Sequence, residues 1–81
     1  MLKKKSFIYI DYVVPDSIAK EAGIEPGDKL LSINGQEIKD IFDYRFFTTE
    51  ERLILCIEKQ DGEMWEVEIE KEQYEDLGIE F

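Results

Sequence analysis

The chain carries twenty aspartate and glutamate residues, ten lysines and arginines, one cysteine and no histidine. This inventory narrows the chemistry before any element is placed. Without histidine, the commonest general base and the commonest zinc ligand are both missing. Asp11, Asp40 and Asp43 could act as acids or bases, but no reactive cysteine or Gly-x-Ser-x-Gly elbow accompanies them, so no nucleophile and base can be paired. Asp40 reads better as a helix cap and Asp43 as a surface residue. Glu66, Glu68, Glu70 and Glu72 alternate along an extended stretch, which spaces them about 7 Å apart on one face. That is too far to share one cation, and no glycine-punctuated calcium loop is present. They read as a solvated face that discourages pairing with other sheets. The expectation is a chain that is not itself an enzyme and holds no catalytic residue, metal ligand or cofactor.

The net charge of −10 repels nucleic-acid phosphates and anionic lipid. The one basic cluster, Lys3-Lys4-Lys5, reads as part of a frayed end, Met1–Lys5. No run approaches the roughly 20 apolar residues of a membrane span, and Met1-Leu2 does not open a signal peptide. Cys56 alone cannot form an internal disulfide. A reducing, cytoplasmic setting is expected, with no nucleic-acid or membrane partner.

Turn chemistry sets the elements that would position any site. Phe7–Val14 is rich in β-branched and aromatic residues and reads as a strand covered on both faces. Asp16 is the expected cap of a short helix to Ala22, and Gly23 is its stop. Pro26-Gly27 turns the chain into a strand over Lys29–Ile33, and Asn34-Gly35 reverses it. Asp40 caps a second helix through Thr48, with Ile38, Ile41, Phe42 and Phe46 spaced as one apolar face. The continuous apolar run Leu53–Ile57 suggests a central strand. After the Asp61-Gly62 turn, Trp65, Val67 and Ile69 alternate with glutamates, giving a strand with one buried and one wet face. Trp65 therefore reads as core. The sum is a single domain over 1–81, mainly β with two helices, an α+β arrangement.

Two segments then carry a resemblance. Asp16-Ser17-Ile18-Ala19 through Ala22-Gly23-Ile24, followed by Gly27-Asp28-Lys29-Leu30-Leu31-Ser32-Ile33-Asn34-Gly35, resembles the PDZ family. The resemblance implies a partly open β-barrel or sandwich and a role in protein interaction. Met64–Lys71 looks like that family's first strand, and Glu75-Asp76-Leu77-Gly78-Ile79 like its carboxylate-binding loop, yet both come last. The chain therefore looks circularly permuted. Asp40–Phe46 and Glu75–Phe81 bring it closer to the N-terminal PDZ-like domain of bacterial iron–sulfur, radical-SAM-like oxidoreductases. That likeness implies a docking module ahead of a cysteine-rich catalytic region. Any cluster would lie outside this chain, since Cys56 matches no Cys-x-x-x-Cys-x-x-Cys motif.

The resemblance implies a peptide groove at Leu77, Gly78 and Ile79, with Phe42 and Phe46 on the facing helix. Backbone N–H groups around a glycine turn can form a nest for a carboxylate, and a strand edge can accept a peptide as an added strand. The plainer reading makes Leu77 and Ile79 core and Gly78 a turn. The approach Glu72-Gln73-Tyr74-Glu75-Asp76 is acidic. Two like charges about 6 Å apart at an effective dielectric of about 20 repel by about 3 kcal/mol, comparable to one or two charge-assisted hydrogen bonds. Arg45 or Lys71 could offset this. A ligand with basic residues suits such a loop better than an acidic C-terminus. The expected partner is a peptide or an adjoining domain, bound by a monomer. One alternative is a PDZ fold that packs beside an iron–sulfur domain in a purely structural role. Another, a fragment of a protease that carries PDZ domains, is disfavoured by the missing catalytic motifs.

Overall fold

A computed structural model describes residues 6–81. The Lys3-Lys4-Lys5 cluster and the fraying expected of Met1–Lys5 lie outside the described residues. The element order is β1 (Ile8–Tyr9), β2 (Tyr12–Val13), α1 (Ile18–Glu21), β3 (Lys29–Ile33), β4 (Gln36–Glu37), α2 (Ile41–Phe47), β5 (Arg52–Glu58), β6 (Met64–Glu70) and β7 (Ile79–Glu80).

The larger sheet runs β1-β3-β5-β6 with β4 attached to β3, and β2 pairs with β7 in a second, two-stranded sheet. Every pairing is antiparallel. The architecture is mainly β with two helices, as the sequence indicates. No pairing among the described residues closes the sheets into a barrel.

The expected Phe7–Val14 strand is divided. Ile10 donates its N–H to the Asp28 carbonyl (2.9 Å) and accepts from the Gly27 N–H (2.7 Å), whereas Asp11 donates to the Glu80 carbonyl (2.9 Å). The chain thus changes partners between residues 10 and 11, leaving one sheet for the other. Tyr9 and Tyr12 are exposed, so the segment is buried on one face only.

The first helix is capped by Ser17, not Asp16. Ser17 has extended backbone, and its side chain accepts the Lys20 N–H. Asp16 instead takes a left-handed conformation (φ 62°) in the preceding turn. The helix ends as expected at Gly23. There the Gly23 N–H reaches the Lys20 carbonyl and the Ile24 N–H the Ala19 carbonyl, both at 3.1 Å. This double closure requires a left-handed residue, and Gly23 supplies it at φ 87°.

β5 is central, between β3 and β6. Its inward residues Leu53, Leu55 and Ile57 pair with Ile69, Val67 and Trp65 of β6. Burying a leucine or isoleucine side chain stabilises by about 1.5–3 kcal/mol. Leu55 and Ile57 are wholly buried, together with Leu30, Ile33, Ala19 and Ile38. Glu66, Glu68 and Glu70 stand on the outer, exposed face of β6.

Among the described residues no helix is long and apolar enough to cross a membrane.

Candidate functional site

A cavity of about 580 Å³ opens between α2, the loop before β7, and β7 itself. Each wall has a local cause. Asp40 accepts the Asp43 N–H (3.0 Å) and so caps α2, while Asp43 accepts the Lys39 N–H (3.1 Å). At the other end the Thr48 hydroxyl donates to the Tyr44 carbonyl (2.8 Å). The helix fixed in this way presents Ile41, Tyr44, Arg45 and Thr48 to the cavity. That i, i+3, i+4, i+7 series is one helix face.

The opposite wall is the loop. Lys71, only 9% exposed, donates through Nζ to the Glu72 carbonyl (3.0 Å) and the Gln73 carbonyl (2.9 Å). Glu75 accepts the Glu72 N–H through its side chain and donates its own N–H to the Glu72 carbonyl. Asp76 accepts the Gly78 N–H at 3.1 Å. Gly78 (φ 88°) binds the loop to the body of the domain, since its carbonyl accepts the Val14 N–H (2.8 Å). A side chain there would collide with the Ser17 Cβ.

Tyr44 is the most buried residue of α2, 7% exposed, with its ring edge-on to Phe81 at 4.7 Å between centroids. Its hydroxyl is buried and has no hydrogen-bond partner. Burial, and then the charge of Asp76, push its pKa up, so the hydroxyl stays protonated.

The structure puts Leu77 and Ile79 on the cavity wall and also in the core, at 1% and 7% exposure. Phe42 and Phe46 do not join them. They are 72% and 73% exposed and absent from the lining. Each lies one residue beyond a lining position, which turns it about 100° round the helix. The spacing Ile38, Ile41, Phe42, Phe46 is therefore not the buried face of α2; Tyr44 and Phe47 pack on the core instead. Ile41, Tyr44, Arg45 and Thr48 could have been found from their own period, had tyrosine and threonine been counted as able to face inward. Among the described residues no cluster of three histidine, cysteine, aspartate or glutamate side chains could hold a metal.

A second polar cluster lies at the end of β5. Lys59 Nζ contacts Asp28 Oδ2 (2.6 Å), Glu25 Oε1 (3.0 Å) and the Gly23 carbonyl (2.8 Å), under the Trp65 ring at 4.5 Å. Burial opposes the charge, but the hydrogen bonds and attraction of Asp28 and Glu25 outweigh it and hold the Lys59 pKa above its ordinary value.

The family model that describes the PDZ domain matches residues 9–58. The chain belongs to the PDZ family. The match runs from β1 through β5, leaving β6, the Gly78 loop and β7 outside it. PDZ domains are protein-interaction modules, so the cavity lies in a fold whose general use is binding protein.

A protein of Rhizobium meliloti (strain 1021) named as a zinc metalloprotease is 45% identical over 40 residues, 49% of this chain and 11% of that protein. PDZ domain-containing protein 11 of Gallus gallus is 47% identical and that of Danio rerio 50%, each over 34 residues, 42% of this chain and 24% of theirs. The chain thus matches a minor part of each of these longer relatives.

Proposed function

We propose that this PDZ domain is a docking module that takes a peptide segment, or a strand of an adjoining domain, in the groove between α2 and β7. The observation that carries the reading is the open edge of β7 facing the cavity. Among the described residues β7 pairs only with β2, and its Ile79 and Glu80 line the cavity. A ligand strand can pair there through its backbone, with alternate side chains reaching Ile41 and Tyr44. On this reading the peptide-contacting residues are Leu77, Gly78, Ile79, Ile41 and Tyr44. Phe42 and Phe46, on the outer side of the helix, suit an adjoining domain better than the groove.

We also infer that the order of elements is a permuted form of the family's. The family match stops before β6, and the last strand returns to pair with the second, Tyr12 opposite Glu80 and Val13 opposite Ile79. The likeness to iron–sulfur oxidoreductases makes such a parent our preferred context, with this domain at its N-terminal part and the cluster elsewhere. A purely structural role beside that catalytic domain is the second reading. It is favoured by Lys71, whose ammonium is committed to the loop's own carbonyls.

Titration of the isotope-labelled chain with C-terminal and internal peptides, followed by amide shifts, tests the docking role. Shifts centred on Tyr44, Leu77 and Gly78 are the expected outcome. Silence at millimolar peptide, on this chain and on one extended beyond Phe81, would leave the structural role.

A further inference from the structure

The loop before β7 spends its polar groups on itself. The Asp76 side chain accepts the Gly78 N–H and the Glu75 side chain accepts the Glu72 N–H, both at 3.1 Å. The Lys71 ammonium, 9% exposed, donates to the Glu72 and Gln73 carbonyls. Two carboxylates thus take N–H groups of the loop, and its ammonium takes carbonyls. A receptor for a terminal carboxylate needs the reverse, N–H donors left free around the glycine turn and a cation beside them.

The backbone cannot turn to free the Gly78 N–H. That N–H shares a planar peptide with the Leu77 carbonyl, and in a trans peptide the two point opposite ways. The Leu77 carbonyl is held by the Ala19 N–H (2.9 Å), and the Gly78 carbonyl by the Val14 N–H (2.8 Å). Both peptide planes that meet at Gly78 are therefore pinned to the body of the domain. Only the Asp76 side chain can leave. An incoming carboxylate must displace it or sit against it. Ionised carboxylates only accept hydrogen bonds, so the two cannot bond to each other, and their like charges repel. The guanidinium in the lining, Arg45, belongs to α2, the wall opposite the loop.

We propose that Asp76 stands in for a ligand's terminal carboxylate, so that the groove refuses free C-termini and takes an internal segment of extended chain along β7. This rests on the docking reading above and specifies both its ligand and the residue that selects it. An internal segment needs no donor from the loop. Its backbone meets the edge of β7, which among the described residues pairs only with β2, and its alternate side chains reach Ile41 and Tyr44. Asp76 then sets specificity by exclusion.

The test uses one set of N-acetylated octapeptides with apolar residues at alternate positions and no charged side chain. Each is made as the free acid and as the C-terminal amide. Affinities are read from amide shifts at Leu77, Gly78 and Ile79. The wild type should bind each amide at least about threefold more tightly than the matching acid. Asp76→Ala frees the Gly78 N–H and removes the charge. It should invert the preference, the acid binding about tenfold more tightly than its amide. Asp76→Asn keeps an acceptor for the N–H but not the charge, and should bring the two forms within about twofold. The paired peptides share every side chain, so their ratio reports the carboxylate and cancels a general loss of stability. A wild-type preference for the acids, or a ratio unmoved by both variants, would overturn the proposal and leave the docking reading intact. A preference for the acids that Arg45→Ala abolishes would overturn it too, by placing the carboxylate on the helix. Silence of every peptide on the wild type and both variants would remove the docking reading and the proposal with it.

Discussion

Two lysines at opposite ends of the domain are equally buried, each 9% exposed, and are used differently. Lys59 meets two carboxylates, a carbonyl and an aromatic face. Lys71 meets only carbonyls of its own loop. At the Lys59 end one ammonium bridges two carboxylates and ties the Gly23–Asp28 turn to the end of β5. At the Lys71 end the ammonium is spent on loop carbonyls, the Tyr44 hydroxyl lacks a partner, and a cavity remains open. One end is a junction made for stability. Each end keeps one buried oxygen without a partner, Asp28 Oδ1 and the Tyr44 hydroxyl, but the Lys71 end borders the larger cavity and the edge of β7, which is what a binding surface needs.

The strongest way to break this contrast is Lys59→Met. It leaves the fully buried Asp28 without its cation, and such a loss costs about 3–5 kcal/mol, read as a shift in urea midpoint at unchanged slope. The same pair gives a pH signature. An unfolded lysine releases its proton near pH 10.4, while folded Lys59 holds its proton to higher pH. Its contribution is therefore whole below about pH 10.4 and is lost as pH rises through the folded-state value. Thermal melts of the wild type should fall along this alkaline limb, and Lys59→Met should flatten it. The raised Tyr44 pKa acts in the same direction, so Lys59→Met should flatten the limb in part, and Tyr44→Phe should remove a further share.

Next in size is Gly78→Ala, at the binding end. It forces a side chain onto Ser17 at φ 88°. Left-handed strain and overpacking together should cost about 3 kcal/mol by chemical denaturation. Lys71→Met removes only hydrogen bonds to carbonyls beside solvent and should cost about 1–2 kcal/mol. A loss as large as that of Lys59→Met would erase the distinction between the two ends. The smallest effect is expected of Tyr44→Phe, which deletes an unpartnered hydroxyl. Stability should change by less than about 0.5 kcal/mol or rise, as read by thermal melting.

Local chemistry made much of the scaffold legible. Gly23, the Asn34-Gly35 reversal and the Trp65/Val67/Ile69 alternation each act within a few residues, and the structure shows all three as expected. The helix face did not follow from hydrophobicity, because α2 carries aromatic residues on every side and the amphipathic Tyr44 took the inward place. The partner of Lys59 was illegible for another reason: Asp28 is 31 residues away, and no local pattern joins them. The same holds for the division of Phe7–Val14, which depends on where Glu80 returns. The loop's acidity was plain in the sequence, but the commitment of Lys71 and of the Gly78 N–H depends on side-chain geometry.

The most direct test of the binding end is the position of a bound peptide. Intermolecular nuclear Overhauser contacts should be collected for a bound peptide on the labelled chain. The account expects contacts from a peptide side chain to the Tyr44 ring and from the peptide backbone to Ile79, with none to Phe42. Contacts confined to Phe42 and Phe46, or to the Glu66–Glu70 face, would contradict it.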